Sequence, residues 1–276
     1  MPPGYSRTSR VRPGVTSWLF GSRRFSRAIE LRIVTRWLGP DQGRALDLAA
    51  GNGEFAVQLA LRGLRVIAVD IDVDALRGAR DSDTQDIKWI GGDATNLPFT
   101  DNSFDVVVCN SALEHVADEG RTVAEIRRVL KPGGRLILTT DSFPRRVSPW
   151  LRFMPADWRH EELRHAADLR QAIQERHRKH HRVVRFYDSA TLIRSLEEHQ
   201  FRVDAWQYYL NGPMSKAIFE LHLIYTKLDF YNRLSRRLYP FFFPFTFPVF
   251  RRRGGYGLAV MASRADADGA RLGPNP

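Results

Sequence analysis

Cysteine and long apolar runs are scarce in this chain of 276 residues, and acidic side chains are outnumbered by basic ones. The single cysteine, Cys109, excludes an intramolecular disulfide and favours a reducing compartment. It ends the apolar run Val106-Val107-Val108-Cys109, where a small buried hydrophobe is a better interpretation than a nucleophile. No stretch reaches the roughly 18 uncharged apolar residues of a simple membrane-spanning helix, and the N-terminus lacks the apolar core of a secretory signal. These absences predict a cytoplasmic protein.

The deficit of acidic residues makes the chain strongly basic. Lys and Arg number 42 against 31 Asp and Glu, which gives a net charge of +11. A basic surface suits nucleic acid, anionic lipid or an anionic substrate, and charge alone does not choose among them.

Hydrophobic periodicity predicts an α/β fold. Apolar runs predict strands over 44–48, 65–70, 88–90, 104–109, 135–140, 201–209 and 256–262. Amphipathic patterns predict helices over 53–61, 73–79, 119–130 and 188–200, the last capped by Asp188 or Ser189. Alternation of this kind indicates a parallel sheet with helices on both faces.

A further helix is predicted over residues 22–38, just ahead of the first strand. Phe25, Ile29, Ile33 and Trp37 form its apolar stripe, which leaves Arg23, Arg24, Arg27 and Arg36 available to water. This helix either packs on the domain or covers a cofactor site, and the two roles are compatible.

Residues 44–55 combine a strand, a turn of small residues and the start of a helix. In this arrangement backbone N–H groups can approach a ligand closely. The turn Gly51-Asn52-Gly53-Glu54-Phe55-Ala56 also fits the G-x-G-x-x-G/A dinucleotide fingerprint. The motif alone therefore leaves the choice between two adenosine-containing cofactors, NAD and S-adenosylmethionine, open.

Polar side chains end four successive strands at one edge of the predicted sheet: Asp47, Asp70, Asp93 and Asn110. Ligands of such sheets bind outside the carboxyl ends of the strands. Asp70 is predicted to anchor a ribose, because a carboxylate accepts hydrogen bonds from both vicinal hydroxyls. Ile71 is then placed to lie on an adenine face, although this pair does not distinguish the two cofactors.

Five motifs in order carry a resemblance to a known family. They are Asp47-Leu48-Ala49-Ala50-Gly51-Asn52-Gly53, Asp93-Ala94 with Leu97-Pro98-Phe99, Phe104-Asp105, Asn110 to Val116, and Leu130-Lys131-Pro132-Gly133-Gly134. Together they resemble class I S-adenosylmethionine-dependent methyltransferases, in the branch with the ubiquinone and menaquinone biosynthesis methyltransferases. The resemblance runs from about residue 44 to 141 and more weakly through 188–210 and 256–264. It implies a doubly wound, seven-stranded Rossmann-like sheet.

The resemblance also implies a cofactor site for S-adenosyl-L-methionine and no metal. Its methionyl part is expected to be lined by Asp47, Ala49, Gly51, Asn52 and Gly53. Asp70 and Ile71 would hold the ribose and adenine, Asp93 and Ala94 would meet the adenine edge, and Asn110 would lie beneath the sulfonium. One departure stands out, since the family usually has glycine where this chain has Ala49. Alanine costs little there if its φ is negative.

Methyl transfer needs a base only when the nucleophile holds a proton. His115, in the loop after the fourth strand, is the best-placed candidate, with Glu114 beside it. His115 could instead only shape the loop or cap the following helix, and His160 and His165 are further candidates. The histidines among 177–181 alternate with Arg and Lys, which repel a cation, so a solvated basic surface is expected there rather than a metal site.

The predicted organisation places the methyltransferase domain at 22–264, with its core at 44–141. It is flanked by a basic disordered leader at 1–21 and a flexible tail at 265–276, and interrupted by a basic helical insertion at 142–187 and an apolar aromatic insertion at 211–254. Residues 238–250 hold six phenylalanines between arginines, a composition that suits a membrane interface or a lid over the substrate pocket.

These observations predict methyl transfer to a hydrophobic small molecule, a quinone-like or lipid acceptor at an anionic membrane surface. RNA methylation is an alternative use of the charge, but no appended RNA-binding module is evident. A non-catalytic S-adenosylmethionine-binding protein is another alternative, motivated by Ala49. A nicotinamide dehydrogenase is disfavoured by Asp93-Ala94 and Asn110.

Overall fold

The computed structural model describes residues 22–38, 43–142, 185–211 and 254–265. Its helices are α1 (Ser22–Leu38), α2 (Glu54–Ala60), α3 (Val73–Asp81), α4 (Glu119–Val129) and α5 (Ser189–Glu198). Its strands are β1 (Arg44–Leu48), β2 (Arg65–Asp70), β3 (Lys88–Gly91), β4 (Phe104–Asn110), β5 (Leu130–Asp141), β6 (Phe201–Tyr209) and β7 (Gly257–Arg264). A short 3-10 turn, Leu113–His115, follows β4.

The strands form one seven-stranded sheet in the order β3-β2-β1-β4-β5-β7-β6. The order reverses at β1, where the chain passes to β2 on one side and β4 lies on the other. The first five strands in this order, β3, β2, β1, β4 and β5, pair in parallel, as predicted. Strand β7 instead runs antiparallel between β5 and β6. The doubly wound α/β prediction is confirmed, with the correction that the sheet is mixed.

Apolar side chains cover both faces of the sheet. On one face, α4 and α5 pack Val123, Ile126 and Leu192 against the strands. On the other, α1 and α2 pack Val34, Leu38 and Leu59. Cys109 lies in the first cluster with 1% of its surface exposed, which confirms its prediction as a buried hydrophobe.

Two local predictions need correction. Strand β5 begins at Leu130 rather than 135, because Leu130 already pairs with Phe104 before an irregularity in the register. Arg27 does not simply project into water: its guanidinium bonds Glu30 at 3.2 Å and lies 5.6 Å from the ring centroid of Phe55.

Several predicted segments lie outside the described residues. They are the leader 1–21, nearly all of the insertions at 142–187 and 211–254, the tail beyond 265, and with them His160, His165 and the histidines among 177–181.

Candidate cofactor site and acceptor edge

The turn between β1 and α2 is open toward the carboxyl edge of the sheet. Gly51 has φ 53°, and a Cβ added there would meet no atom within 4 Å. Gly53, at φ 75°, instead faces Trp89, whose ring would lie 2.2 Å from an added Cβ. The first glycine therefore leaves space for a ligand to approach the backbone, whereas the second lets an indole ring pack beneath the turn.

Asp70 fastens this turn to the end of β2. One carboxylate oxygen accepts from the N–H of Gly51 at 2.7 Å, and the other accepts from the N–H of Asp72 at 2.8 Å. Each oxygen keeps a second lone pair, so the same carboxylate can still accept from ribose hydroxyls. The next side chain, Ile71, is 75% exposed although it is apolar, as a surface for an adenine face would be.

Asp47 lies in the interior of β1 with 1% of its surface exposed. It accepts from the backbone N–H of Ala56, while its Oδ2 is buried without a hydrogen-bond partner. Burial raises its pKa to about 7. A buried acceptor beneath an open glycine turn can hold the amino group of a bound ligand. The Asp47 carboxyl and the glycine turn therefore fit the methionyl part of S-adenosylmethionine.

The other predicted cofactor residues lie around the same edge with different exposure. Asn52 and Asp93 are exposed, and Asp93 accepts from the N–H of Thr95 at 2.8 Å. Ala94 is half-buried against the core. Asn110 is 4% exposed at the end of β4.

Ala49 adopts a left-handed conformation with φ 58°. The condition under which alanine would cost little, a negative φ, is not met. A β-carbon in this region costs about 1–2 kcal/mol relative to glycine. Ala49 therefore carries backbone strain that glycine at this position would not.

The two predicted catalytic residues share the 3-10 turn but not its environment. Glu114 has no exposed surface; one carboxyl oxygen accepts from the hydroxyl of Thr140 at 2.8 Å, and Oε1 has no hydrogen-bond partner. Burial and the nearby charge of Asp141 raise the pKa of Glu114 to about 8. His115 is half-buried at the end of the turn.

Two residues that the sequence did not single out lie at the same edge. Glu30 of α1 is 4% exposed and accepts from Asn110 at 3.1 Å and from Tyr209 at 3.1 Å. Tyr209 ends β6 and is 1% exposed. Glu30 lies 80 and 179 residues from these partners, and its only sequence signal is an acidic side chain directly beside Ile29 on the apolar stripe. These contacts place α1 against the ends of β4 and β6, and its role as a cover for the cofactor site stays a prediction.

Comparison with known proteins decides between the two adenosine cofactors. Residues 46–138 match a family model described as a methyltransferase domain. Over these residues the chain is similar to a methyltransferase domain, and solved structures of similar fold are named S-adenosylmethionine-dependent methyltransferases. These comparisons support S-adenosylmethionine rather than NAD as the cofactor.

Curated relatives over this region include proteins named demethylmenaquinone methyltransferase and one named biotin biosynthesis bifunctional protein. The chain is 41% identical over 114 residues to the demethylmenaquinone methyltransferase of Renibacterium salmoninarum, covering 41% of this chain and 48% of that protein. It is 42% identical over 100 residues to the biotin biosynthesis bifunctional protein BioHC of Cellvibrio japonicus, covering 36% of this chain and 20% of that protein. The chain thus spans less than half the length of these relatives.

Solved structures extend the likeness of the methyltransferase domain to the fold as a whole. An S-adenosylmethionine-dependent methyltransferase from Mesorhizobium loti superposes with a TM-score of 0.56 at 20% identity, covering 87% of this chain and 100% of that chain. The [4+2]-cyclase SpnF gives a TM-score of 0.55 at 18% identity, with coverage of 85% and 80%. At these identities the likeness shows the fold alone.

Proposed function

We propose that this protein transfers a methyl group from S-adenosylmethionine to a hydrophobic small molecule. The observation that carries the proposal is a methyltransferase domain whose open glycine turn is fastened by Asp70. Support for a quinone-like acceptor comes from the relatives named demethylmenaquinone methyltransferase.

Each part of the cofactor has a proposed partner. Asp70 and Ile71 hold the adenosine, with Asp93 and Ala94 at the adenine edge. The methionyl part lies over the turn, in the reach of Asp47. Asn110 lies beneath the sulfonium, from which the bound cofactor supplies the methyl group.

The proposed acid–base chemistry separates His115 from Glu114. A carboxyl group with a pKa of about 8 is protonated at neutral pH, so Glu114 does not serve there as a carboxylate base. We assign the base to His115, for acceptors that hold a proton, and we assign to Glu114 the anchoring of the turn through Thr140. His115→Ala is accordingly expected to slow transfer while leaving cofactor binding intact.

Titration calorimetry with S-adenosylmethionine, S-adenosylhomocysteine and NAD tests the cofactor assignment. The first two should bind and NAD should not. Asp70→Asn removes one acceptor oxygen from the turn and the ribose, and we expect affinity for both sulfur ligands to fall at least about tenfold. Asp74→Asn is the matched control: Asp74 is exposed four residues later, and among the contacts described its carboxylate bonds only Arg77.

The calorimetric outcomes also separate the alternatives. No heat from either sulfur ligand with the wild-type protein would end the proposal. Binding without methyl transfer to any component of a lipid, quinone or RNA extract, followed with labelled cofactor, would favour a non-catalytic or non-methylating protein.

The membrane surface is a separate part of the proposal. Support comes from the arginine-framed phenylalanines of residues 238–250 and the net charge of +11. Within the described ranges, none of the helices has the length and apolar character needed to cross a bilayer. Co-sedimentation with anionic liposomes at low salt tests peripheral binding; equal recovery in the supernatant with and without vesicles would contradict it.

A further inference from the structure

Glu30 receives hydrogen bonds from three different elements. On Oε2 it accepts from Arg27 of its own helix at 3.2 Å and from the Asn110 amide at 3.1 Å; on Oε1 it accepts from the Tyr209 hydroxyl at 3.1 Å. The guanidinium of Arg27 and the Asn110 Nδ2 can only donate, so Oε2 must accept, whereas the Tyr209 hydroxyl donates here but can also accept. A carboxylate at this position therefore fits, whereas an apolar side chain would leave Asn110 and Tyr209 buried without this partner.

The bonds around Asn110 run in one direction. The N–H of Ser111 donates to Thr139 Oγ1 at 3.2 Å, and the Thr139 hydroxyl donates to Asn110 Oδ1 at 2.6 Å. The Asn110 Nδ2 then donates to Glu30. Because Oε2 of Glu30 accepts while the Thr139 hydroxyl donates, these two partners fix which end of the Asn110 amide is the donor. The remaining N–H and the remaining oxygen lone pair of Asn110 are thereby set in known orientations.

Tyr209 is held over a glycine of the neighbouring strand. Tyr209 and Gly257 are directly paired between β6 and β7, and a Cβ on Gly257 would lie 2.1 to 2.5 Å from ring atoms of Tyr209. The missing side chain lets the ring lie against β7 and brings its hydroxyl to Glu30.

We propose that Glu30, held by Tyr209 and Arg27, is a positioning residue that orients the Asn110 amide toward the cofactor sulfonium region. This inference rests on the proposed function, because it needs Asn110 to face S-adenosylmethionine. Glu30 itself acts through Asn110 and not on the reacting atoms.

Calorimetric affinity for S-adenosylmethionine and S-adenosylhomocysteine is the readout. Glu30→Leu should weaken both by about tenfold or more, since the amide loses its oriented partner. Glu30→Gln should restore affinity to within about threefold of wild type, because its oxygen can accept from Asn110 while its nitrogen donates to Tyr209. Tyr208→Phe is the control: Tyr208 precedes Tyr209, and its hydroxyl accepts from the N–H of Ser189 instead.

The Asn110→Ala background separates positioning from a general structural role. If Glu30 acts through Asn110, Glu30→Leu should cause no further loss of affinity once Asn110 is alanine. An equal loss in both backgrounds would overturn the proposal and assign Glu30 to holding α1 alone.

Tyr209→Phe keeps the test usable if Glu30→Leu does not fold. This change removes one hydrogen bond that holds Glu30 without altering α1, and its loss of affinity should likewise vanish in the Asn110→Ala background. A loss that persists there would contradict the proposal. Failure of the wild-type protein to bind either ligand would instead contradict the proposed function, so the two failures are distinguishable.

Discussion

Three residues other than glycine adopt left-handed conformations directly after strands that end at the site. Ala49 follows β1 with φ 58°, Ser111 follows β4 with φ 46°, and Leu210 follows β6 with φ 54°. Strain of this kind, about 1–2 kcal/mol for each residue with a β-carbon, persists only where surrounding contacts enforce it. At Ser111 the enforcing contacts are visible, since its N–H bonds the carbonyl and the hydroxyl of Thr139.

The strain at Ala49 predicts a stabilising substitution. Ala49→Gly should raise the free energy of unfolding by about 1 kcal/mol, because glycine adopts positive φ freely, and urea denaturation measures the change. Ala50→Gly is the control: Ala50 lies outside the set with positive φ, and glycine there should lower stability by about 0.5–1 kcal/mol. Equal destabilisation by both changes would contradict the assignment of strain to Ala49.

At the scale of elements, α1 is fixed to the sheet at two levels. Glu30 bonds the carboxyl ends of β4 and β6, and the guanidinium of Arg135 on β5 donates to the carbonyls of Trp37 and Leu38 at 3.2 Å. The last carbonyls of a helix have no partner within the helix, so Arg135 supplies one from the strand.

Arg135→Ala should therefore loosen the C-terminal half of α1. We expect stability to fall by about 1 kcal/mol and backbone amides of residues 32–38 to exchange faster in hydrogen-exchange measurements. Arg80→Ala is the control, since Arg80 is exposed and contacts Asp81 only at 3.9 Å. Unchanged exchange in α1 of the Arg135 variant would show that packing alone fixes the helix end.

Most of the elements could be predicted from sequence because their signals are local. The bounds of α1, β2 and β6 and the cap of α5 by Asp188 all follow from neighbouring residues and are confirmed. The buried residues that α1 contributes to the core cluster, however, lie outside its predicted stripe: Leu31, Val34 and Leu38. The antiparallel β7 and the carboxylate of Glu30 depend on partners distant along the chain, and periodicity does not report them. Similarly, the carboxylates at the strand ends were predictable, whereas the raised pKa of Glu114 depends on burial that only the fold creates.

At the scale of the whole molecule, a basic protein buries several acidic groups at one edge of its sheet. Burial raises the pKa of Asp47 to about 7, of Asp141 to about 7 and of Glu114 to about 8. The unfolded chain releases these protons near ordinary carboxyl pKa values, so the folded chain binds more protons from about pH 4 upward. The stability that these groups contribute is fully present below about pH 4, and it is lost as the pH rises from about 4 to about 8.

Glu114→Gln should remove part of this pH dependence. Between pH 6 and pH 8 the free energy of unfolding should fall by about 2 kcal/mol more in the wild type than in the variant, because glutamine has no proton to lose. Urea denaturation over this range measures both slopes. Parallel curves would show that Glu114 titrates near its ordinary pKa in the folded protein.

The packing of Trp89 beneath Gly53 has an optical consequence. The indole donates to Asp83 at 3.1 Å, and its ring occupies the space of the absent side chain of Gly53. An intrinsic fluorophore therefore rests directly against the turn proposed to carry the methionyl group. Any shift of that turn changes the polarity around the ring, and the protein carries its own unlabelled reporter of cofactor occupancy.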